Sequence, residues 1–413
     1  MAKIAIMGCG VVGSGVADIL MEQSNKLSAR FDKEVVLSKI LDIRDMAGTP
    51  YAPFMTPDAD SIINDNEIDI VVVTIGGLDF AYNMAKKSLL AGKHVVTSNK
   101  EVVAAYGKEL TEIAFEKKVR FLYEASAGGG IPVIRPLNIC LASNDIYEIH
   151  GILNGTTNYI LTKMKNDGMS FDAALKRAQE KGYAEANPSA DVDGHDAARK
   201  IAILSSIAYN EFVDYNNVSC TGIRKVSIED IDFAQDNDLV IKLIAHSFIK
   251  DGKVFASVEP MALPKTNMLA SVESVFNAVL TKGSYTGDTL FYGKGAGKLA
   301  TASAVMGDVI EILCGSDKEA TLPGFTKRDA VMGDLSSEKS RYMIRFTYSD
   351  DQGTALQGAA MKIFNAETVT VNYEKKYLVI ATGYMTESEL SAAASSCEDT
   401  FAVKFCNSIK IAE

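Results

Sequence analysis

Short apolar runs alternate with amphipathic segments along the first 125 residues of the chain. The strand-like runs are Lys3–Met7, Val35–Leu41, Ile68–Thr74, His94–Thr97 and Val119–Tyr123. Helix-like segments separate most of these runs, and this rhythm predicts a parallel sheet with right-handed helical crossovers. The run Asp69–Ile75 is rich in Val and Ile without polar alternation. We therefore expect it to form a central strand that is covered on both faces.

The hydrophobic pattern changes at about residue 135 and again at about residue 340. In the middle region, helices are predicted at Asn158–Asn166, Phe171–Lys181 and Gly194–Tyr209, and strands at Leu243–Ile249 and Val254–Leu263. Helical periodicity followed by alternating runs predicts an α+β domain over residues 135–335. A polar stretch then leads into a β-α-β-β-α-β order, which predicts a third domain over residues 341–413.

Length and charge narrow the possible functions. The 413 residues are enough for two to three domains of about 150 residues each. With 53 acidic and 42 basic side chains, the net charge of -11 has the wrong sign for binding phosphate backbones, so no nucleic-acid partner is expected. The six cysteines form no Cys-x-x-Cys pair, which argues against a disulfide framework or zinc cage. Without a signal peptide or an 18-residue apolar run, the chain is expected to be soluble and cytoplasmic, with no membrane partner.

The first chemical signal is the glycine pattern Gly8–Gly13, which follows a predicted strand and opens a helix. Gly8 makes a tight turn, Gly10 lets the backbone approach a pyrophosphate, and Gly13 allows close contact between helix and strand. This context predicts an NAD(P)-binding Rossmann domain over residues 1–134. At the end of the second strand, Asp42 suits the ribose diol of NAD whereas Arg44 suits the 2′-phosphate of NADP, so the cofactor preference stays open.

Two lysines stand where a substrate could be bound. Lys100 follows the fourth predicted strand, at the carboxyl edge where open α/β sheets bind ligands, although a solvated lysine at a helix start would look the same. Asp196 and Lys200 are four residues apart, so they share one face of a predicted helix, and the apolar segment Ile201–Leu204 suggests that the helix is buried beyond them. A lysine at such a boundary can exchange protons, because desolvation disfavours its charged form. The alternative is an exposed ion pair between the two side chains.

Two glycine-rich loops are further candidates. Glu124–Pro132 follows the fifth predicted strand, and its exposed carbonyls beside Glu124 could bind a hard cation through oxygen. A hinge between domains would carry the same composition. The second loop, Gly293–Gly297, precedes a helix, and we expect the segment near residues 290–315 to return to the cofactor site.

Taken together, these stretches resemble homoserine dehydrogenase, in the same order from Ile4 to about Leu313. The segments that carry the resemblance are Gly8–Gly15, His94–Lys100, Glu124–Pro132, Gly151–Ile160, Gly182–Lys200 and Gly293–Val305. The resemblance implies reversible NAD(P)-dependent oxidation of L-homoserine to L-aspartate 4-semialdehyde, in the biosynthesis of threonine, methionine and isoleucine. It also implies a Rossmann domain joined to an α+β catalytic and dimerisation domain, in a homodimer or homotetramer.

The same resemblance assigns roles to individual residues. Lys200 and Lys100 are the expected catalytic lysines, and Glu185, Asp191 and Asp196 the expected substrate-binding acids. The expected cofactor contacts are Gly8, Gly10, Val11, Val12, Gly13, Asp42, Arg44, Thr74, Lys100, Gly182 and Gly297. A sodium ion is expected at Glu124 and at the main-chain carbonyls of Ala127, Gly129 and Ile131.

The region from about Tyr342 is similar to an ACT regulatory domain in its element order, which implies an amino-acid effector. Its first turn, Ser349–Gly353, lacks the usual Arg-Pro-Gly. Two other functions are weighed against the dehydrogenase. The first is a non-catalytic NAD(P) sensor with an amino-acid-binding ACT module. The second is an aspartate-semialdehyde dehydrogenase, which would acylate Cys140 with the help of His150.

Overall fold

The computed structural model describes residues 1–315, 328–349, 353–366, 368–401 and 403–412. The chain forms two compact units. The first contains Met1–Ile149, Arg199–Asn217 and Asn277–Ala330, and the second contains His150–Ala198, Val218–Phe276 and Val331–Glu413. Each unit therefore combines stretches that are distant in sequence.

The described residues form the following elements. The strands are β1 (Ala2–Met7), β2 (Val35–Leu41), β3 (Met55–Thr56), β4 (Ile68–Val73), β5 (His94–Thr97), β6 (Phe121–Leu122), β7 (Ile146–Ile152), β8 (Ser219–Cys220), β9 (Leu239–Lys250), β10 (Lys253–Pro264), β11 (Phe276–Gly283), β12 (Gly287–Lys294), β13 (Arg341–Tyr348), β14 (Thr368–Asn372), β15 (Tyr377–Ala381) and β16 (Val403–Ile411). The α-helices are α1 (Val11–Phe31), α2 (Asp60–Ile63), α3 (Asp79–Leu90), α4 (Lys100–Lys117), α5 (Gly155–Asp167), α6 (Phe171–Glu180), α7 (Ser189–Val192), α8 (His195–Tyr209), α9 (Ile228–Asp236), α10 (Lys298–Cys314), α11 (Gly353–Ile363) and α12 (Glu387–Thr400). None of these helices is long and apolar enough to cross a lipid bilayer.

The first unit contains a six-stranded parallel sheet in the order β3-β2-β1-β4-β5-β6. The predicted parallel sheet is confirmed, and β4 is an inner strand as expected. Strand β3 was missed because two residues carry no periodicity. The sheet packs against α1 and α10 through a core that includes Ile4, Val72, Val16 and Val305. Gly15 lets the two helices approach, since a Cβ at this position would lie 2.9 Å from the carbonyl oxygen of Lys298.

In the second unit, strands pair in the order β9-β10-β16-β13-β15-β14, with β8 paired to β10. Strands β9 and β10 form a long antiparallel pair, whereas β16 joins β10 in parallel through only two residue pairs. The predicted C-terminal element order is confirmed as β13-α11-β14-β15-α12-β16, with a core that includes Phe346, Phe364 and Ile380. Within the turn Ser349–Gly353, residues 350–352 lie outside the described residues.

Candidate active site

The turn between β1 and α1 has the geometry of a phosphate-binding loop. Gly8 has a φ of 103°, in the left-handed region that favours glycine. A Cβ on Gly13 would lie 1.8 Å from the carbonyl oxygen of Gly8, so only glycine fits there. The hydroxyl of Thr74 donates to that same carbonyl at 2.8 Å. Around Gly10 a Cβ would meet nothing within 4 Å, and no side chain caps α1, so its first N–H groups face open space that suits an anion.

Asp42 and Arg44 are paired at the end of β2. The guanidinium donates from Nε to Oδ1 at 2.9 Å and from Nη2 to Oδ2 at 2.7 Å, and the Cys9 N–H donates to Oδ2 at 2.8 Å. These contacts, chiefly the hydrogen bonds from the Arg44 side chain, lower the pKa of Asp42. Both residues line a cavity of about 380 Å³. An acid and a cation therefore lie together where an adenosine ribose would be bound.

Asn99 fixes the position of Lys100 at the carboxyl edge of the sheet. Its Oδ1 accepts from the N–H groups of Glu101 at 2.9 Å and Val102 at 3.1 Å, which caps α4. Its Nδ2 donates to the carbonyls of Ile75 and Gly77, in the loop after β4. Lys100 is the first residue of α4 and is half-buried.

In the second unit, Asn154 joins two of the predicted substrate-binding acids. Its Nδ2 donates to Asp191 Oδ1 at 2.7 Å and to Asp196 Oδ2 at 2.9 Å, while its Oδ1 accepts from the N–H of Thr157 and caps α5. Asp196 and Asn154 are only 3% and 6% exposed. Asn154 lies in a segment that supported the resemblance but was given no role. Its position as an N-cap could have indicated a role, because the amide oxygen of an asparagine N-cap accepts from the helix while the amide nitrogen can still donate to a second partner.

Lys200 lies one turn beyond Asp196 on α8 and is buried. The expectation that the helix is buried beyond it is confirmed, since Ile201–Leu204 have almost no exposed surface. Asp193, two residues before this helix, pairs with Arg224, which lowers the pKa of the Asp193 carboxyl. Asp196 and Lys200 are therefore buried on one helix, which disfavours a solvated ion pair.

The loop after α6 carries Glu185, which is exposed. Thr156 Oγ1 donates to the carbonyl of Tyr183 at 2.6 Å, and Gln179 Nε2 donates to the carbonyl of Glu185 at 3.1 Å. These bonds hold the main chain of the loop, while the Glu185 carboxylate makes no hydrogen bond or ion pair within the described residues. The structure therefore does not place Glu185 in the cluster of Asn154, Asp191 and Asp196.

Two predicted cofactor glycines also have left-handed backbones. Gly182 lies two residues after the end of α6 and has a φ of 72°. Gly297 precedes α10 with a φ of 119°, and no side chain caps that helix. Neither would bring a Cβ within 4 Å of another atom. Val11 is exposed beside Gly10, and Val12 packs against the core of the first unit.

The Glu124 side chain is held by the main chain that follows it. Its Oε1 accepts from the N–H groups of Val133 at 2.6 Å and Ile134 at 2.7 Å, and its Oε2 accepts from that of Arg135 at 2.8 Å. The carbonyls of Ala127, Gly129 and Ile131 accept no hydrogen bond within the described residues, although all three residues are buried. Buried carbonyls normally have a partner, so these three suit a hard cation.

Family models and sequence relatives both match this chain to homoserine dehydrogenase. A family model described as homoserine dehydrogenase, NAD binding domain, matches residues 8–124, and one described as homoserine dehydrogenase matches residues 132–310. The homoserine dehydrogenase of Synechocystis sp. is 44% identical over 320 residues, which covers 75% of this chain and 73% of the relative. That of Corynebacterium glutamicum is 36% identical and covers 98% and 94% of the two chains.

Solved structures of homoserine dehydrogenases also superpose on this chain. The homoserine dehydrogenase of Thiobacillus denitrificans superposes with a TM-score of 0.89 at 30% identity, over 100% of this chain and 98% of its own. A hyperthermophilic archaeal homoserine dehydrogenase mutant in complex with NADPH superposes with a TM-score of 0.64 at 29% identity, over 77% of this chain and 99% of its own.

Proposed function

The chain belongs to the homoserine dehydrogenase family, and from this premise we propose which of its residues bind NAD(P) and which act on L-homoserine. The reaction is the reversible oxidation of the substrate's CH–OH group to L-aspartate 4-semialdehyde. When bound, the nicotinamide of NAD(P) supplies hydride exchange with that carbon. A non-catalytic sensor is not favoured, since the relatives matched over 73% and 94% of their lengths are enzymes.

Lys200 is proposed to take up and return the proton of the substrate hydroxyl, with Asp196 and Asp191 binding the polar ends of the substrate. The observation that carries this assignment is the burial of Asp196 and Lys200 one turn apart on α8, together with the Asn154 amide, which donates to the carboxylates of both Asp191 and Asp196. Fixed donors and acceptors in a desolvated site orient a substrate at little entropic cost. Lys100 and Glu185 complete the proposal through the family resemblance alone.

Replacing Lys200 with Ala tests the assignment. We expect kcat to fall by about 100-fold or more, the usual contribution of a general acid or base, while NADPH binding measured by fluorescence is retained. Lys176→Ala, at an exposed position on α6, is the matched control and should leave kcat unchanged. An unaltered kcat in Lys200→Ala would refute the assignment.

The residues of the first glycine turn fit NAD(P), because the turn leaves space beside the N-terminus of α1 that its own side chains do not fill. Gly8, Gly10, Val11, Val12 and Gly13 are proposed to contact the pyrophosphate. Asp42 and Arg44 are proposed to receive the adenosine ribose, and Thr74, Lys100, Gly182 and Gly297 to make further cofactor contacts.

A sodium ion is proposed at the three buried carbonyls of Ala127, Gly129 and Ile131, with Glu124 as the neighbouring acid. Because three N–H groups already occupy the Glu124 carboxylate, its proposed part is to hold the loop and offer a remaining lone pair. Exchange of Na⁺ for tetramethylammonium should lower the melting temperature of the enzyme, and an unchanged melting curve would argue against the site.

The remaining proposals concern organisation. Residues 1–134 are proposed to act as the cofactor domain, residues 135–335 as the substrate and dimerisation domain, and residues 341–413 as an ACT-like module that binds an amino-acid effector. In the module, β16 lies beside β13, and β15 lies between β13 and β14, an arrangement that supports the assignment. A homodimer or homotetramer in the cytoplasm completes the proposal, and light scattering tests the assembly.

A further inference from the structure

Three potential metal ligands come together on two neighbouring strands. Glu148 and His150 are two residues apart on β7, so their side chains lie on the same face of the strand. His246 extends from β9, the strand beside β7. One carboxylate oxygen of Glu148 and one ring nitrogen of each histidine all lie within 4.8 Å of one another. None of these residues takes part in the proposed oxidation of L-homoserine.

The spacing of the three atoms is close to that of a coordination shell. In a tetrahedral site with bonds of about 2.0–2.1 Å, the ligand atoms lie roughly 3.3 Å apart. The upper limit of 4.8 Å exceeds this spacing by about 1.5 Å. All three side chains are half-buried, so rotations of the side chains can close the difference while the strands stay in place.

Aromatic rings cover one side of the histidine pair. The rings of His150 and His246 stack with their centroids 4.2 Å apart. Phe248 stacks on His246 at 5.1 Å, and Phe255 stacks on Phe248 at 4.7 Å. His150 is the outer ring of this stack, so it can turn towards an ion while His246 stays packed against Phe248. The apolar rings exclude water on their side, which strengthens the attraction between an ion and a carboxylate.

Lys282 orients the carboxylate of Glu148. Its Nζ lies 2.8 Å from Glu148 Oε2, and the two side chains are 33% and 21% exposed. A carboxylate has about four lone-pair positions on its two oxygens, so it can pair with an ammonium and coordinate an ion together. Metal-binding side chains commonly have such an outer partner. Because the ammonium repels cations, the site requires a metal that bonds strongly to nitrogen and is not held by charge alone.

We propose that Glu148, His150 and His246 bind a divalent zinc ion, with the fourth position left to water. Two imidazoles and a carboxylate form a ligand set that zinc uses in proteins. Mg²⁺ and Ca²⁺ prefer shells made of oxygen, which a single carboxylate does not supply. The net charge of -11 also favours the accumulation of cations around the protein.

Calorimetric titration of the reduced, full-length enzyme with zinc sulfate, after removal of metals with EDTA and dialysis, tests the proposal. Loss of an outer partner alone weakens metal binding about 10–100-fold, so His150→Gln and His246→Gln should each weaken it by about 100-fold or more. Glu148→Gln keeps the shape but removes the charge, and should weaken binding by at least about tenfold. His195→Gln, at an exposed position at the start of α8, is the matched control and should bind zinc as the wild type does.

Cobalt provides a spectroscopic probe of the same ligands, because the filled d shell of Zn²⁺ gives no visible bands. Four-coordinate Co²⁺ absorbs visible light much more strongly than hydrated Co²⁺. Strong bands should appear in the wild type and in His195→Gln, and should be absent in His246→Gln. The exposed thiols of Cys140 and Cys314 are the competing ligands, and their coordination would add an intense charge-transfer band in the near ultraviolet.

Three results would overturn the inference: no binding of zinc by the wild type, equal affinity in the wild type, His150→Gln and His246→Gln, or a thiolate band that accounts for the bound cobalt. Each variant is first assayed for turnover of L-homoserine in EDTA, which shows that it folds. If one variant does not fold, the other two still test the ligand set. If the wild type binds zinc through these side chains but does not oxidise L-homoserine, the catalytic assignment fails and the zinc site stands.

Discussion

Replacing Asn154 with Ser separates two tasks that one side chain performs. Serine caps a helix about as well as asparagine, so the N-terminus of α5 should be retained. Serine lacks the amide N–H groups that reach Asp191 and Asp196. The variant therefore isolates the link between the two acids from the cap.

The magnitude follows from the two lost bonds. Hydrogen bonds to charged groups contribute about 1.5–3 kcal/mol each, and the lower end applies to Asp191, which is half-buried. We expect a loss of about 3–4.5 kcal/mol in the free energy of unfolding, measured by urea denaturation. Since 1.4 kcal/mol corresponds to a factor of ten, the KM for L-homoserine should rise by about tenfold or more if half of that energy orients the acids for substrate.

Asn166→Ser is the matched control, because it makes the same change on the same helix α5. Asn166 Nδ2 donates to Glu273 at 3.3 Å on the protein surface, so its loss should cost less than about 0.5 kcal/mol. If Asn154→Ser unfolds at the same urea concentration as the control and has the same KM, the reasoning about the linked acids is wrong.

Further predictions concern the cofactor turn, the cofactor preference and a buried lysine. Gly10→Ala should fold normally and weaken NADPH binding measured by fluorescence, whereas Gly13→Ala should lose several kcal/mol of stability, because its Cβ would overlap the main chain. Arg44→Ala should lower the ratio of kcat/KM with NADPH to that with NADH by about tenfold, since it removes the cation proposed to recognise the 2′-phosphate and releases Asp42 for a ribose diol. An unchanged ratio would exclude Arg44 from recognition of the cofactor. Burial lowers the pKa of Lys242 from 10.5 to about 8 in the folded state. Between these values the unfolded chain binds more protons, so this lysine should make stability rise from pH 8 to 10.5 by roughly 3 kcal/mol, and Lys242→Met should flatten the rise in urea titrations.

Local patterns predicted the elements of the fold well. The Val/Ile-rich run before Thr74 predicted an inner strand because burial on both faces removes polar alternation, and β4 confirms it. The C-terminal element order was also predictable, since β13 to β16 are separated by polar turns. The segment near residues 290–315 was expected to return to the cofactor site, and α10 belongs to the first unit. Its packing partners on α1 and the sheet could not be predicted from the local pattern, because those contacts join residues far apart in the chain.

The candidate site was predictable where chemistry resides in a local motif. Gly13 could be assigned from spacing alone, and its contact with Gly8 is of the kind expected. Asn154 was not assigned, because its partners Asp191 and Asp196 lie about 40 residues away in sequence and only the fold brings them to one amide. The pairing of Asp42 with Arg44 was likewise not predicted, because the two residues were considered as alternative contacts to the adenosine ribose, one to its diol and the other to its 2′-phosphate.

The return of α10 to the first unit has a consequence for synthesis on the ribosome. Helix α10 supplies Ala302, Val305 and Val309 to the core beneath α1, yet these residues are translated after most of the second unit. A nascent chain that has emerged only as far as β6 therefore exposes an apolar helix face with nothing to cover it. Emerging chains of this length should be held by chaperones until about residue 314 leaves the exit tunnel.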